Sequence, residues 1–135
     1  MTGTFDLKER TLKFAVDVSD FCGTLPDTYR GRHVMGQLYR AGSGAAANYR
    51  AACRRKSPAD FISKLGTAIE EADESDFWLE FAVATRMVKV EKVRALRQEA
   101  GELVSIFVAS RQTARENEKA RRSKPEKQFS YQVPG

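Results

Sequence analysis

The fold of this chain is decided by the stretch Gln37–Leu79, which contains the small-residue segment AGSGAAANYR at positions 41–50. A basic corner, Arg54-Arg55-Lys56, follows, and SPADF at 57–61 comes next. In SPADF the serine can cap a helix, the proline suits the first helical position, and the aspartate lies near the positive helix end. The stretch predicts two long helices joined at the basic corner.

The glycines Gly42 and Gly44 lie two residues apart within the second predicted helix. Because glycine in a helix costs about 1 kcal/mol relative to alanine, the pair indicates close approach of the backbone of a neighbouring helix. A phosphate-binding loop at 41–44 is the rival interpretation, but no lysine follows at P-loop spacing and no strand pattern precedes it. Packing is favoured, and we expect Ser43 and Asn48 to hydrogen-bond between helices.

Apolar residues recur at helical spacing in four segments, such as Leu7, Phe14 and Val18 in the first. Short connections between such segments favour antiparallel neighbours. The sequence therefore predicts an all-α protein, an up-down-up-down antiparallel four-helix bundle over residues 1–117. The predicted helices span about 5–22, 31–53, 58–87 and 92–117, and 118–135 is predicted to be a charged, disordered tail.

The third helix is apolar nearly all round from Phe77 to Ala84, apart from Glu80. A helix in a small bundle needs only one apolar face, so the excess predicts a second buried face. The simplest such face is an interface between copies of the chain, because aromatic residues suit interface cores. The candidates for this interface are Phe77, Trp78 and Phe81.

Composition indicates one soluble domain, since the chain has 135 residues and 30% of them are charged. No apolar run is long enough to span a membrane, and the N-terminus lacks the pattern of a signal peptide. Cys22 and Cys53 are far apart, which favours reduced thiols in a cytoplasmic protein. We expect no membrane partner.

Charge is unevenly distributed along the chain. Residues 31–56 carry six basic and no acidic side chains, 57–91 carry three and eight, and 111–135 carry seven and three. One interpretation is a surface for a polyanion. The other is that the acidic helix neutralises Arg40, Arg50 or Arg54, within one subunit or between subunits. The candidates for nucleic-acid binding are Arg50, Arg54, Arg55, Lys56, Arg111, Arg115, Lys119, Arg121 and Arg122.

Catalytic and metal-binding patterns are not evident. His33 is a lone histidine, and the two cysteines lack zinc-site spacing. Bundle di-metal sites pair glutamates with Glu-x-x-His motifs, which the sequence does not contain. We therefore predict a protein that is not an enzyme and has no metal or cofactor. Because no aromatic residue is interleaved with the basic corner, the expected contacts are with phosphates rather than bases.

Short motifs between Gln37 and Leu79 together carry a family resemblance. They are QLYR at 37–40, Ser43, ANYR at 47–50, RRKS at 54–57, FISKL at 61–65, EADE at 71–74 and FWL at 77–79. They resemble the four-helix-bundle family of 23S rRNA-intervening-sequence proteins over about residues 5–117. The accessory variability determinant of diversity-generating retroelements is a more distant relative.

The resemblance implies a ring-like homo-oligomer, with a pentamer as the first expectation. It also implies a possible reverse-transcriptase partner, because the retroelement relative works with that enzyme and nucleic acid. Ala51 departs from the acidic residue that members with the same ANYR segment commonly carry next. The prediction is a non-enzymatic oligomeric binding module that contacts RNA or DNA through phosphates, and the alternative is a protein-interaction scaffold ring.

Overall fold

A computed structural model describes residues 6–123, and within them the chain forms four helices and no strand. The helices are α1 (Leu7–Cys22), α2 (Tyr29–Cys53), α3 (Pro58–Ala84) and α4 (Val90–Arg122). They pack against one another, so the predicted all-α four-helix fold is confirmed. Because the structure contains one copy of the chain, the ring-like assembly of several copies stays a prediction.

The connections between helices span only residues 23–28, 54–57 and 85–89, whereas α2 is 25 residues long. A helix of that length measures about 38 Å, which such short connections cannot cross. Each helix therefore runs antiparallel to the one before it, and contacts between α4 and α1 close the bundle. As a result, the basic corner lies at the same end of the bundle as the start of α1 and the end of α4.

The core forms along the apolar stripes of all four helices. Phe14 of α1, Leu38 of α2, Leu79 of α3 and Phe107 of α4 each expose 1% of their surface or less. Burying such a side chain contributes about 1.5–3 kcal/mol. This packing holds the two ends of the bundle at fixed positions, including the end that carries the basic corner.

The start of α3 is capped from both directions. Ser57 Oγ accepts a hydrogen bond from the Asp60 N–H at 3.0 Å, and the Asp60 carboxylate accepts one from the Lys56 N–H at 3.1 Å. A cap of this kind contributes about 1 kcal/mol. The reciprocal pair fixes the last residue of the basic corner against the first turn of α3.

Two glycines of α2 lie where a neighbouring helix leaves no room for a side chain. A Cβ on Gly42 would lie 2.8 Å from Cγ1 of Val18 in α1, and one on Gly44 would lie 3.0 Å from Cδ of Glu71 in α3. The segment is helical throughout. The glycines therefore serve helix packing, as predicted, but the expected backbone approach is wrong because side chains of α1 and α3 fill the space.

Ser43 and Asn48 lie in the same segment, but their hydrogen bonds stay within α2. Ser43 Oγ donates to the Tyr39 carbonyl at 2.8 Å, and Asn48 Nδ2 donates to the Gly44 carbonyl at 2.9 Å. The expectation that they join two helices is wrong, because short polar side chains in a helix reach back to the carbonyl four residues earlier.

The end of α3 comes at Ala84, three residues before the predicted end. Arg86 has a φ of 63°, and the Met87 N–H donates to the Ala82 carbonyl at 2.9 Å. A residue in the left-handed region stops a right-handed helix. Since glycine or asparagine usually occupies such a position, an arginine there carries no sequence signal.

The last helix continues further than predicted. α4 runs through Arg122, so residues 118–122, which we expected in a disordered tail, are helical. Glu118 accepts hydrogen bonds from Arg121 at 2.7 Å and from Arg122 at 2.9 Å. Ion pairs at this spacing support a helix that has no apolar stripe. Residues 124–135 of the predicted tail lie outside the described part of the chain.

Candidate nucleic-acid interface

The basic corner forms most of the connection between α2 and α3. Its three residues, Arg54, Arg55 and Lys56, are all exposed. No carboxylate among residues 6–123 forms an ion pair with their side chains. The corner follows the C-terminus of α2, where the helix dipole favours positive charge. The nearby Asp60 carboxylate interacts with Lys56 through its backbone N–H and its charge but forms no side-chain ion pair with it. Three positive charges that form no ion pair within the described chain therefore lie together at one end of the bundle.

One of these cations lies on an aromatic ring. Cζ of Arg55 is 4.6 Å from the centroid of the Phe61 ring in the first turn of α3. A cation in this position is stabilised by about 0.5–1 kcal/mol at an exposed site. Sequence reasoning missed Phe61 as a site residue because it follows the corner rather than lying within it. The sequence signal that could have placed Phe61 beside Arg55 is the helix start at Ser57, because the chain reverses direction there.

An open groove with a volume of about 740 Å³ extends from the basic corner along the C-terminal part of α4. Arg55 and Phe61 line it from the corner and α3, and Arg121 lines it from α4. The rest of its α4 wall combines the apolar Ile106 with small and polar residues, among them Ser110, Thr113, Ala114 and Asn117. The groove thus combines cations, an aromatic ring and hydrogen-bonding side chains.

The predicted cations at the end of α4 are partly neutralised. Hydrogen bonds from Arg121 and Arg122 hold the pKa of the Glu118 carboxyl at about 2, so this group is ionised at neutral pH. Glu118 also lines the groove. The two arginines and the carboxylate together carry one net positive charge, which is less than the sequence suggests.

Two other predicted cations lie away from the groove. Arg50 lines a smaller groove of about 420 Å³ between α1 and α2, together with Lys8. Arg111 lies against α3, where a Cβ on Gly66 would be 3.4 Å from its Nη1. Neither side chain lines the wall that Arg55 shares with Arg121.

The last two candidates project elsewhere from α4. Arg115 and Lys119 are four residues apart and share one face of the helix. Neither lines the groove, whereas Ala114 and Asn117 do. Arg55 and Arg121 are therefore the predicted residues that meet in one groove, with the other two corner cations beside them in the chain.

Carboxylates of α3 pair with cations outside the basic corner. Arg97 of α4 donates to Asp76 at 2.7 Å, and Nη2 of Arg40 lies 3.6 Å from Oε2 of Glu74. Within residues 6–123, neither Arg50 nor the basic corner forms a side-chain ion pair with a carboxylate of this helix. Neutralisation by the acidic helix accounts for Arg40 but not for the corner.

Glu71 is the one described side chain with a buried polar atom that has no hydrogen-bond partner, its Oε1. Burial raises the pKa of this carboxyl, and the nearby Glu74 raises it further, whereas Arg40 lowers it. Burying a charge without full compensation costs stability. Glu71 faces Gly44 of α2 and does not line the groove. The stability cost of burying its carboxylate therefore arises from the packing of α3 against α2.

An aromatic surface, formed by the exposed Phe77 and Phe81 and by the half-buried Trp78, which also packs against the core, lies on α3. Phe77 and Phe81 expose 51% and 36% of their surface. The Trp78 ring meets both edge-on, at 4.9 and 5.4 Å between centroids, and lies 5.5 Å from the ring of the exposed His33. Contiguous exposed aromatic groups are typical of surfaces that a partner covers.

Cys22 is buried, and burial raises the pKa of its thiol to about 11.

Within residues 6–123, no three histidine, cysteine or acidic side chains come together as a metal-ligand set. None of the described helices combines the length and apolar character that crossing a membrane requires.

The fold and the charge distribution define a four-helix-bundle protein with a cationic connection at one end. The family model described as 23S rRNA-intervening sequence protein matches residues 4–109, and the chain belongs to this family. The match includes the basic corner and ends before the last turns of α4. No curated protein matches the chain.

Among solved structures, the chain is similar to a protein of unknown function from the S23 ribosomal protein family of Bacteroides thetaiotaomicron VPI-5482. The two sequences are 29% identical, and the structures superpose with a TM-score of 0.72. The similarity covers 77% of this chain and 96% of the other.

Proposed function

We propose that the protein is a non-enzymatic binding module, assembled from several copies of this chain, that contacts RNA or DNA through phosphates. The basic corner is the centre of the proposed surface. The name of the family, which refers to an intervening sequence of 23S rRNA, supports a nucleic-acid partner.

The observation that supports this proposal is that no side-chain ion pair within residues 6–123 neutralises the basic corner. Cations that only balance the acidic helix lie against its carboxylates, as Arg97 does with Asp76. The corner cations instead extend into solvent. Phosphate contacts from such side chains provide affinity without reading sequence.

Assembly would strengthen this weak surface. The exposed aromatic surface on α3 supports contact between copies, and the family resemblance makes a pentamer the first expectation. Because linked sites bind a long polyanion together, repetition raises affinity without any new contact. A reverse-transcriptase partner stays a prediction from the resemblance.

The second candidate is a scaffold ring that binds protein rather than nucleic acid. The aromatic surface supports this candidate equally, because the exposure of Phe77 and Phe81 does not depend on what the basic corner binds. In this alternative, carboxylates of a neighbouring copy neutralise the basic corner. The two candidates differ in whether the assembled protein binds nucleic acid.

An electrophoretic mobility shift with the full chain separates the two candidates. Structured RNA and duplex DNA are each titrated with micromolar protein at low and at moderate salt. The proposal expects a shift with little sequence preference that weakens steeply as salt rises. If every nucleic acid runs unshifted while the oligomer is intact, the scaffold ring is the better account.

A further inference from the structure

We infer that the groove between the basic corner and α4 binds an unpaired nucleotide, whose base stacks on the Arg55 guanidinium. The inference rests on the proposed function and makes it more specific. Phosphate contacts alone do not favour unpaired over paired strands, whereas a stacking site does, because a paired base has no free face.

The stacking platform consists of Arg55 and Phe61. The Phe61 ring supports the guanidinium, with 4.6 Å from Cζ to the ring centroid. Arg55 is exposed, so solvent and a ligand in the groove can reach its side chain. Bases of unpaired RNA stack on aromatic rings and on arginine planes, and such stacking tolerates every base.

The groove has the size and the side chains for a base. Its volume of about 740 Å³ lies within the range of small-molecule pockets, roughly 300–1,000 Å³. Ser110, Thr113 and Asn117 line it and bring hydroxyl and amide groups that can donate to or accept from a base edge. The apolar Ile106 and Pro58 also line it and offer surface against which the face of a base can pack.

The charges assign different parts of the nucleotide to different parts of the site. Arg54 and Lys56 are exposed beside the platform and suit the phosphates. On the α4 side, Glu118 is ionised and holds Arg121 and Arg122. The α4 cluster therefore carries one net positive charge against three at the corner, so the phosphates favour the corner and the neutral base lies towards α4.

A substitution that keeps the charge tests this arrangement. Arg55→Lys retains the positive charge but loses the planar group that stacks. Arg54→Lys is the matched control, since it makes the same change at the neighbouring exposed residue, which lies over no aromatic ring within residues 6–123. The probes are a short labelled oligouridylate, an oligodeoxythymidylate of equal length and a duplex with the same number of phosphates, measured by fluorescence anisotropy.

We expect Arg55→Lys to weaken binding of both single strands at least about five-fold, and duplex binding less than two-fold. Arg54→Lys should change all three affinities by less than about two-fold. Phe61→Leu, checked for folding by circular dichroism, should also weaken the single strands selectively, because it removes the ring under Arg55. The ratio of the two single-strand affinities shows whether the site prefers RNA or DNA.

Three results decide against the inference. Equal effects of Arg55→Lys and Arg54→Lys would reduce Arg55 to a phosphate contact and overturn the stacking site. Duplex binding as tight as single-strand binding by the parent protein would do the same. Both of these leave the proposed function intact, whereas binding to none of the three probes overturns the two proposals together.

Discussion

Val18 of α1 occupies the space that a side chain at Gly42 of α2 would need, since a Cβ there would lie 2.8 Å from Val18 Cγ1. We expect Gly42→Ala to force α1 away from α2 and lower the free energy of unfolding by about 1–3 kcal/mol. Urea denaturation followed by circular dichroism measures the change.

Gly36→Ala is the control in the same helix. No atom lies within 4 Å of a Cβ at Gly36, so this change should stabilise the protein by about 0.5–1 kcal/mol through helix propensity. If the two alanines shift stability in the same direction, steric contact with Val18 is not the reason for the glycine.

The positive φ of Arg86 leads to a second prediction. A non-glycine residue in the left-handed region is strained by about 1–2 kcal/mol, so Arg86→Gly should raise the free energy of unfolding by about 1 kcal/mol. Arg94→Gly removes the same charge from an exposed position inside α4 and should lower it by about 1 kcal/mol. Equal losses from both glycines would argue against strain at Arg86.

Glu71 should make stability depend on pH. Because burial raises its pKa in the folded state, the native protein binds more protons, and stability falls as pH rises from the ordinary value of 4.5. Glu71→Gln should therefore raise the melting temperature at neutral pH and have a smaller effect below pH 4.5. Thermal scans across pH test this, with Glu70→Gln, an exposed carboxylate on the same helix, as the control.

The aromatic surface predicts an assembly that one charge can disrupt. Light scattering of the parent protein should give a mass several times 15.1 kDa. Phe81→Glu should reduce it to that of a monomer, because an unpaired charge in a dry interface costs several kcal/mol. Val108→Glu places the same charge on α4 at a residue that is 42% exposed and should leave the assembly intact. A monodisperse monomer of the parent would remove the basis for this prediction.

The salt dependence of binding should locate the phosphate contacts at the basic corner. Replacing Arg54, Arg55 and Lys56 with glutamine should weaken binding to duplex DNA. The same change should flatten the plot of log affinity against log salt by about 0.9 for each phosphate that the protein no longer neutralises. Glutamines at Lys89, Lys92 and Arg94 remove the same charge at the other end of the bundle. Similar effects of both triple variants would mean that net charge, rather than the corner, governs binding.

Local sequence signals were sufficient to predict the helical fold and much of its packing. SPADF indicated the start of α3, and Gly42 indicated a tight helix contact. The start of α2 at Tyr29 was harder to predict from the sequence. Its N-cap is Thr28, whereas the apolar stripe of the helix begins only at Val34. The ends of α3 and α4 were missed for a related reason, since a left-handed Arg86 and ion pairs around Glu118 leave no mark in apolar periodicity.

The positive charges of the candidate site could be predicted from the sequence, but the contacts of those charged side chains could not. The basic corner is visible as consecutive cations, whereas Phe61 joins it only after the chain turns at Ser57. Whether Arg121 is free or held by Glu118 depends on α4 remaining helical to its end. Arg115 and Lys119 add to the positive charge of the sequence, but helix geometry directs them away from the groove.

The connectivity of the bundle has a kinetic consequence. Apart from the packing of α1 on α4, each helix packs on its neighbours in sequence. Chains dominated by such local contacts fold within microseconds to milliseconds. Two subunits at micromolar concentration meet far more slowly, in about 0.1–10 s at ordinary association rates. Each subunit of the proposed oligomer therefore completes its fold alone and presents Phe77 and Phe81 to water before a second copy arrives.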